Sequence, residues 1–173
     1  RLDPELDEEG RRQAAAVAAT LYRADRIVAS PLTRTRQTAE VIAAGTGTPV
    51  ELDDRWIELD YGELDGTPLV DVPVETWSTW RTDPTFRPPG GESLVDLGAR
   101  VHAALGDLAE EALTRDIVVV SHVSPIKAAV LWALGVDEEV TWRMFLAPAS
   151  ITRIAVQRGP VLQSFNETAH LAR

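Results

Sequence analysis

"DIVVVSHVSPIKAAVLWALG" (residues 116–135) reads as a buried strand running directly into a helix. The apolar run predicts a strand over 116–122, and the continuation predicts a helix over 124–135. Ser124 suits the N-cap, Pro125 the first helical position and Gly135 the C-terminal stop. His122, one of only three histidines, stands at the junction. Open α/β sheets bind ligands beyond the carboxyl ends of their strands. A helix amino end there offers free N–H groups and a positive dipole end, a ready anion site. His122 is therefore the first candidate for chemistry; the competing reading is a buried structural imidazole satisfied by a partner.

Working outward, "LDEEGRRQAAAVAATLYR" (6–23) predicts a helix with Asp7 as N-cap. "RIVAS" (26–30) predicts a short buried strand, and "PLTRTRQTAEVIAAG" (31–45) a second helix stopped by Gly45. "PVEL" (49–52) fits another strand. Residues 53–91 form a less regular excursion that contains Trp56, Trp77 and Trp80, with a helix expected over "VPVETWSTWR". Long irregular segments in a compact domain are functional or disordered, and the tryptophans argue against disorder. "SLVDLGARVHAALGDLAEEAL" (93–113) predicts a long amphipathic helix with a capping box between Ser93 and Asp96. Two strands, 150–157 and 160–166, close the chain. Strands alternating with helices imply an α/β fold, with a mostly parallel sheet covered on both faces. Ser30 and His122 should then share one edge of that sheet.

At 173 residues the chain fits one domain, 1–173, with a full core. It has no cysteine, so disulfides and thiolate metal sites are excluded. No apolar run approaches the roughly 18 residues that a membrane span requires, and a cytoplasmic location is the default expectation. The net charge of −10 argues against nucleic-acid and anionic-membrane partners. An anionic ligand would need a local island of positive potential.

Arg34, in "SPLTRTRQTA", lies just inside the second helix, where its guanidinium can grip an oxyanion bidentately. A surface arginine is the competing reading. Glu58, in "WIELDYGELDG", is a candidate acid–base group, with Asp60, Glu63 and Asp65 as rivals that charge alone does not separate. His102 and His170 read as packing or surface residues. There is no HExxH, GxSxG, GxxxxGK[ST] or GxGxxG motif.

Taken in order, "DPELDEEGRRQA", "SPLTRTRQTA", "ELDYGELDG", "PPGGES" and "VVVSHVSPI" resemble the histidine phosphatase superfamily, the phosphoglycerate mutase-like fold. "SHVSPIK" with "NETAHL" looks most like actinobacterial acid phosphatases, including the domain fused to ribonuclease H. The resemblance implies a three-layer sandwich and metal-independent phosphoryl transfer through a phosphohistidine, without a cofactor. It implies Arg34 as the phosphate-gripping arginine and Glu58 as the proton donor that later activates water. His122 would be the second histidine, bonded to the phosphoryl oxygens, with the Val123 N–H beside it.

The same resemblance implies a strand ending in Arg-His-Gly upstream of Arg1, supplying the nucleophile. Such a strand would be central, and without it two neighbouring strands should expose apolar edges. A small phosphorylated substrate is expected, with specificity set by the lid-like excursion 53–91. The oligomeric state stays open, a homodimer being one option. Two other readings remain: a mutase-type phosphotransferase of the same family, and an inactive phosphate-binding module.

Overall fold

Alternate residues of two adjacent strands face opposite helical layers, and this alternation builds the molecule. The computed structural model describes residues 2–172. Strands β1 (Arg26–Ala29), β2 (Val50–Leu52) and β3 (Ile117–Val120) form a parallel sheet in the order β2-β1-β3. Ile27 and Ala29 of β1, with Val118 and Val120 of β3, pack against helices α1 (Glu8–Thr20) and α2 (Thr33–Thr46). Val28, Ile117 and Val119 point to the other face. There they meet α4 (Leu94–Ala109), α5 (Val123–Leu134) and the tryptophans of the irregular segment. The result is a three-layer α/β sandwich, as the strand–helix alternation implies.

Among the described residues β3 is hydrogen-bonded to β1 alone, and its four apolar residues are only partly buried. By contrast Ile27, Val28 and Ala29 of β1 are at most 2% exposed. Strands β4 (Ile151–Ala155) and β5 (Val161–Glu167) pair antiparallel with each other as a separate ribbon. The excursion between β2 and α4 consists of single 3-10 turns and one short helix, α3 (Val74–Thr82). Trp80 anchors it, stacked on Trp77 and set edge-on to Tyr61 and Trp142.

Two predicted boundaries are corrected. Gly45 lies inside α2; Gly47 ends it, at φ 77° with its N–H on the Ala43 carbonyl at 2.8 Å. Either glycine could take the left-handed cap, and the sequence does not say which will. Ser124 is not the N-cap of α5. His122 holds that place in extended conformation (φ −124°, ψ 175°), with its carbonyl accepting from Ile126 N–H at 3.1 Å. Pro125 then becomes the third helical residue, still within the turn whose N–H groups lack intrahelical acceptors.

The start of α4 is a reciprocal capping box: Ser93 Oγ accepts from Asp96 N–H at 3.1 Å, and Asp96 Oδ2 accepts from Ser93 N–H at 3.0 Å. The Ser93 hydroxyl also donates to Asp96 Oδ2, and this bond first, then the Ser93 N–H bond, holds the Asp96 carboxyl below its ordinary range. Ser93→Ala should lower stability by about 1 kcal/mol near neutral pH, read as an earlier denaturation midpoint at unchanged slope. A depressed folded-state pKa stabilises above the unfolded pKa, and that stability is lost as pH falls through the folded value. The gap between wild type and variant should therefore narrow on acidification below the carboxylate range.

Candidate active site

Pairing of Ala29 with Val120 is continued by one more bond, Ser30 N–H to the Val120 carbonyl at 3.0 Å. That register brings the next side chains together. Ser30 is fully buried, His122 is 7% exposed, and Ser30 Oγ lies 2.7 Å from His122 Nε2. Both residues end strands and lead into helices, so the amino ends of α2 and α5 open on the same sheet edge.

Arg34 is the second residue of α2, and its Nη1 donates to the Leu2 carbonyl at 3.1 Å. The N-cap residue of this helix, Leu32, has no capping side chain. Asp3 supplies one from a distance, accepting from Thr33 N–H at 2.6 Å and Thr33 Oγ1 at 2.9 Å. The backbone N–H bond, then the hydroxyl bond, pull the Asp3 pKa down.

Glu58 arrives from the irregular segment. Its Oε1 accepts from Leu59 N–H at 2.7 Å and from Ser124 N–H at 3.2 Å, in the first turn of α5. A carboxylate at a helix amino end is favoured by the unsatisfied N–H groups and the dipole. Glu58 and Arg34 line one cavity of about 270 Å³, walled by Leu2, Pro4, Leu32, Leu59 and Tyr61, with Asp65 also facing it. His122 does not line this cavity, but the helix it caps holds the Glu58 carboxylate. Burial, and then the negative charge of Glu58, push the Tyr61 hydroxyl up to about 12, so it stays a neutral donor at physiological pH. Burial lowers the Lys127 pKa, and the charge of Glu58 opposes that shift.

Two of the three rival acids, Asp60 and Glu63, separate from Glu58 by geometry. Asp60 Oδ1 accepts from Gly62 N–H at 3.0 Å in a local turn, and Glu63 does not line the cavity. Asp65 does line it. His170 Nε2 lies 2.9 Å from the Ala149 carbonyl and is structural, while His102 lies within α4, away from the cavity. No group of three or more metal-ligating side chains occurs among the described residues. Sequence reading did not find the Ser30 hydroxyl as a partner of His122, or the use of the Ser124 N–H by Glu58; neither contact leaves a spacing signature.

The loop carrying Glu58 is pressed against "PPGGE" (88–92) at two glycines. Gly62 has φ +54°, and a Cβ there would sit 2.1 Å from the Pro89 carbonyl oxygen. A Cβ on Gly91 would lie 2.6 Å from the Asp60 carbonyl oxygen. In place of side chains there are backbone bonds, Glu63 N–H to Pro89 O and Glu92 N–H to Asp60 O, each 2.9 Å.

A family model described as the histidine phosphatase superfamily (branch 1) matches residues 1–168. Phosphoserine phosphatase 1 of Hydrogenobacter thermophilus is 36% identical over 177 residues, spanning 98% of this chain and 84% of the relative. A probable phosphoglycerate mutase GpmB of Yersinia pestis is 33% identical over 181 residues, with the same two coverages of 98% and 84%. Among solved structures, a mutant phosphoserine phosphatase of Entamoeba histolytica in complex with phosphoserine superposes with a TM-score of 0.89. That likeness carries 29% identity and covers 98% of this chain and 88% of the other.

Gly62→Ala combines a left-handed backbone with a backbone clash. It should cost about 1–3 kcal/mol, measured by denaturant unfolding, where an exposed exchange such as Gly106→Ala should not destabilise.

Proposed function

The chain belongs to the histidine phosphatase superfamily, and from that premise we propose that it is a metal-independent phosphomonoesterase acting through a phosphohistidine on a small phosphate ester. One observation carries this reading. The Glu58 carboxylate is bonded to the first turn of the helix that His122 caps, and Glu58 lines the same cavity as Arg34. A phosphoryl group there would meet the Arg34 guanidinium with an acid beside its leaving oxygen, and His122, at the amino end of the neighbouring helix, would have to turn from Ser30 to join them. Phosphoryl transfer asks chiefly for such positioning and charge stabilisation.

In the proposed cycle a histidine upstream of Arg1 attacks phosphorus in line. The P–O ester bond breaks, its electron pair goes to the leaving oxygen, and Glu58 supplies that oxygen with a proton. Arg34 and His122 hold the phosphoryl oxygens as charge moves between them, with the Val123 N–H beside His122. Glu58, now a carboxylate, takes a proton from water. The water oxygen attacks phosphorus, the P–N bond breaks, and inorganic phosphate leaves. The partly buried apolar residues of β3, paired on one side only among the described residues, support an upstream strand in this role. The excursion 53–91 covers the cavity through Leu59, Tyr61 and Asp65, and we assign it the choice of leaving group.

A mutase is the second reading, favoured by the phosphoglycerate mutase-like relative. It would have to hold the phosphorylated intermediate against water, so assays of phosphate release against isomerisation separate the two.

With excess EDTA present throughout, the wild-type full-length protein should keep its turnover. Under the same conditions Glu58→Gln should lose roughly 10²–10⁴-fold in rate, while inhibition by inorganic phosphate changes little. Turnover equal to wild type would remove Glu58 from the mechanism.

A chain starting at Arg1 should release no phosphate, and the protein extended to an upstream Arg-His-Gly segment should be active. Turnover by the shorter chain, abolished by His122→Ala, would show the roles to be misassigned.

A further inference from the structure

We propose that Glu92 and Arg100 are a positioning pair that holds the main chain of Glu58 in place; the proposal rests on the reading of Glu58 as proton donor. The two side chains are only 15% and 18% exposed. Arg100 Nε meets Glu92 Oε1 at 2.7 Å and Nη2 meets Oε2 at 2.9 Å, a two-bond fork. The guanidinium also donates to the loop: Nη1 to the Arg55 carbonyl at 2.7 Å, and Nη2 to the Glu58 carbonyl at 3.4 Å. Glu92 adds its N–H to the Asp60 carbonyl at 2.9 Å, and its Oε2 accepts from Asp60 N–H at 3.4 Å. One ion pair therefore grips the backbone on both sides of Glu58 and at Glu58 itself.

The loop needs such a grip. Residues 53–65 have no ladder of their own, only the 3-10 turns Asp54–Trp56 and Gly62–Leu64. The side chains of Trp56 and Leu59 bury the loop, but apolar packing is non-directional. A general acid must lie within hydrogen-bond reach of the atom it protonates. A planar guanidinium bonded to two carbonyls and a carboxylate fixes an orientation that a lysine ammonium, with no fork, does not reproduce. Arg100 is rooted in the second turn of α4, whose start is fixed by the Ser93–Asp96 box, so the acid is referred to a rigid element. Neither residue touches the cavity, so both act through Glu58.

A misplaced acid penalises an alcohol leaving group, which must be protonated, far more than nitrophenolate, which leaves as the anion. The test compares kcat/KM of full-length Arg100→Lys on phosphoserine and on 4-nitrophenyl phosphate. This ratio reports steps up to leaving-group loss and is blind to later hydrolysis. The expected loss is about tenfold or more on phosphoserine, since small misplacements reach 10²-fold, with less than about threefold on the aryl ester. In a Glu58→Gln background, Arg100→Lys should add no further selective loss.

Equal losses on both esters, with Glu58→Gln itself selective, would overturn the positioning role and leave the acid assignment standing. No selectivity in Glu58→Gln would overturn the acid assignment and this proposal with it. Should Arg100→Lys not fold, Glu92→Gln is read in the same way. Failure of both to fold would overturn the proposal in favour of a purely structural tie.

Discussion

The in-register parallel pairing of β1 with β3 is the constraint from which the site follows. Parallel strands point their carboxyl ends the same way, so the two strand-to-helix turns must share an edge. Because Ala29 lies opposite Val120, Ser30 and His122 end up within a hydrogen bond of each other. The amino ends of α2 and α5 then converge, each presenting N–H groups with no intrahelical acceptor. In a chain of net charge −10 this edge, with Arg34, is where positive potential can be gathered for an anion. A slip of one residue in this pairing would turn the apolar residues of β3 to the opposite layers and part Ser30 from His122.

Glu58 is delivered by different means. Its segment has no strand pairing, and is held by long-range devices instead. Trp56 and Leu59 sink into the core beside α4, and Ser121 Oγ donates to the Trp56 carbonyl at 2.7 Å. Gly62 and Gly91 let two loops touch backbone to backbone. Ser124 N–H then takes the carboxylate at its far end. The acid is thus tied at its main chain to α4 and at its side chain to α5, and those two helices pack together over the same core.

Much of this was legible in the residues. Apolar runs marked β1 and β3, Ser93 with Asp96 marked the start of α4, and Gly135 marked the end of α5. What was misread turned on which of several competent neighbours takes a special backbone conformation: Gly47 in place of Gly45, His122 in place of Ser124. Composition did not separate Glu58 from Asp65, and both residues line the cavity; only the family pattern singled out Glu58. Ties such as Arg100 to the carbonyls of Arg55 and Glu58 join residues more than forty positions apart. Such contacts carry no periodicity, so they become visible only in three dimensions.

A crystal structure of the full-length protein with bound orthovanadate bears most directly on the claim that Arg34, Glu58 and His122 serve one phosphoryl group. The vanadium should lie in the cavity beside Arg34, with vanadate oxygens bonded to the Arg34 guanidinium and the His122 imidazole. The Glu58 carboxylate should lie within hydrogen-bond reach of the oxygen opposite the attacking nitrogen. Vanadate bound elsewhere, or bound in this cavity with His122 still turned to Ser30 and Glu58 out of reach, would contradict the claim.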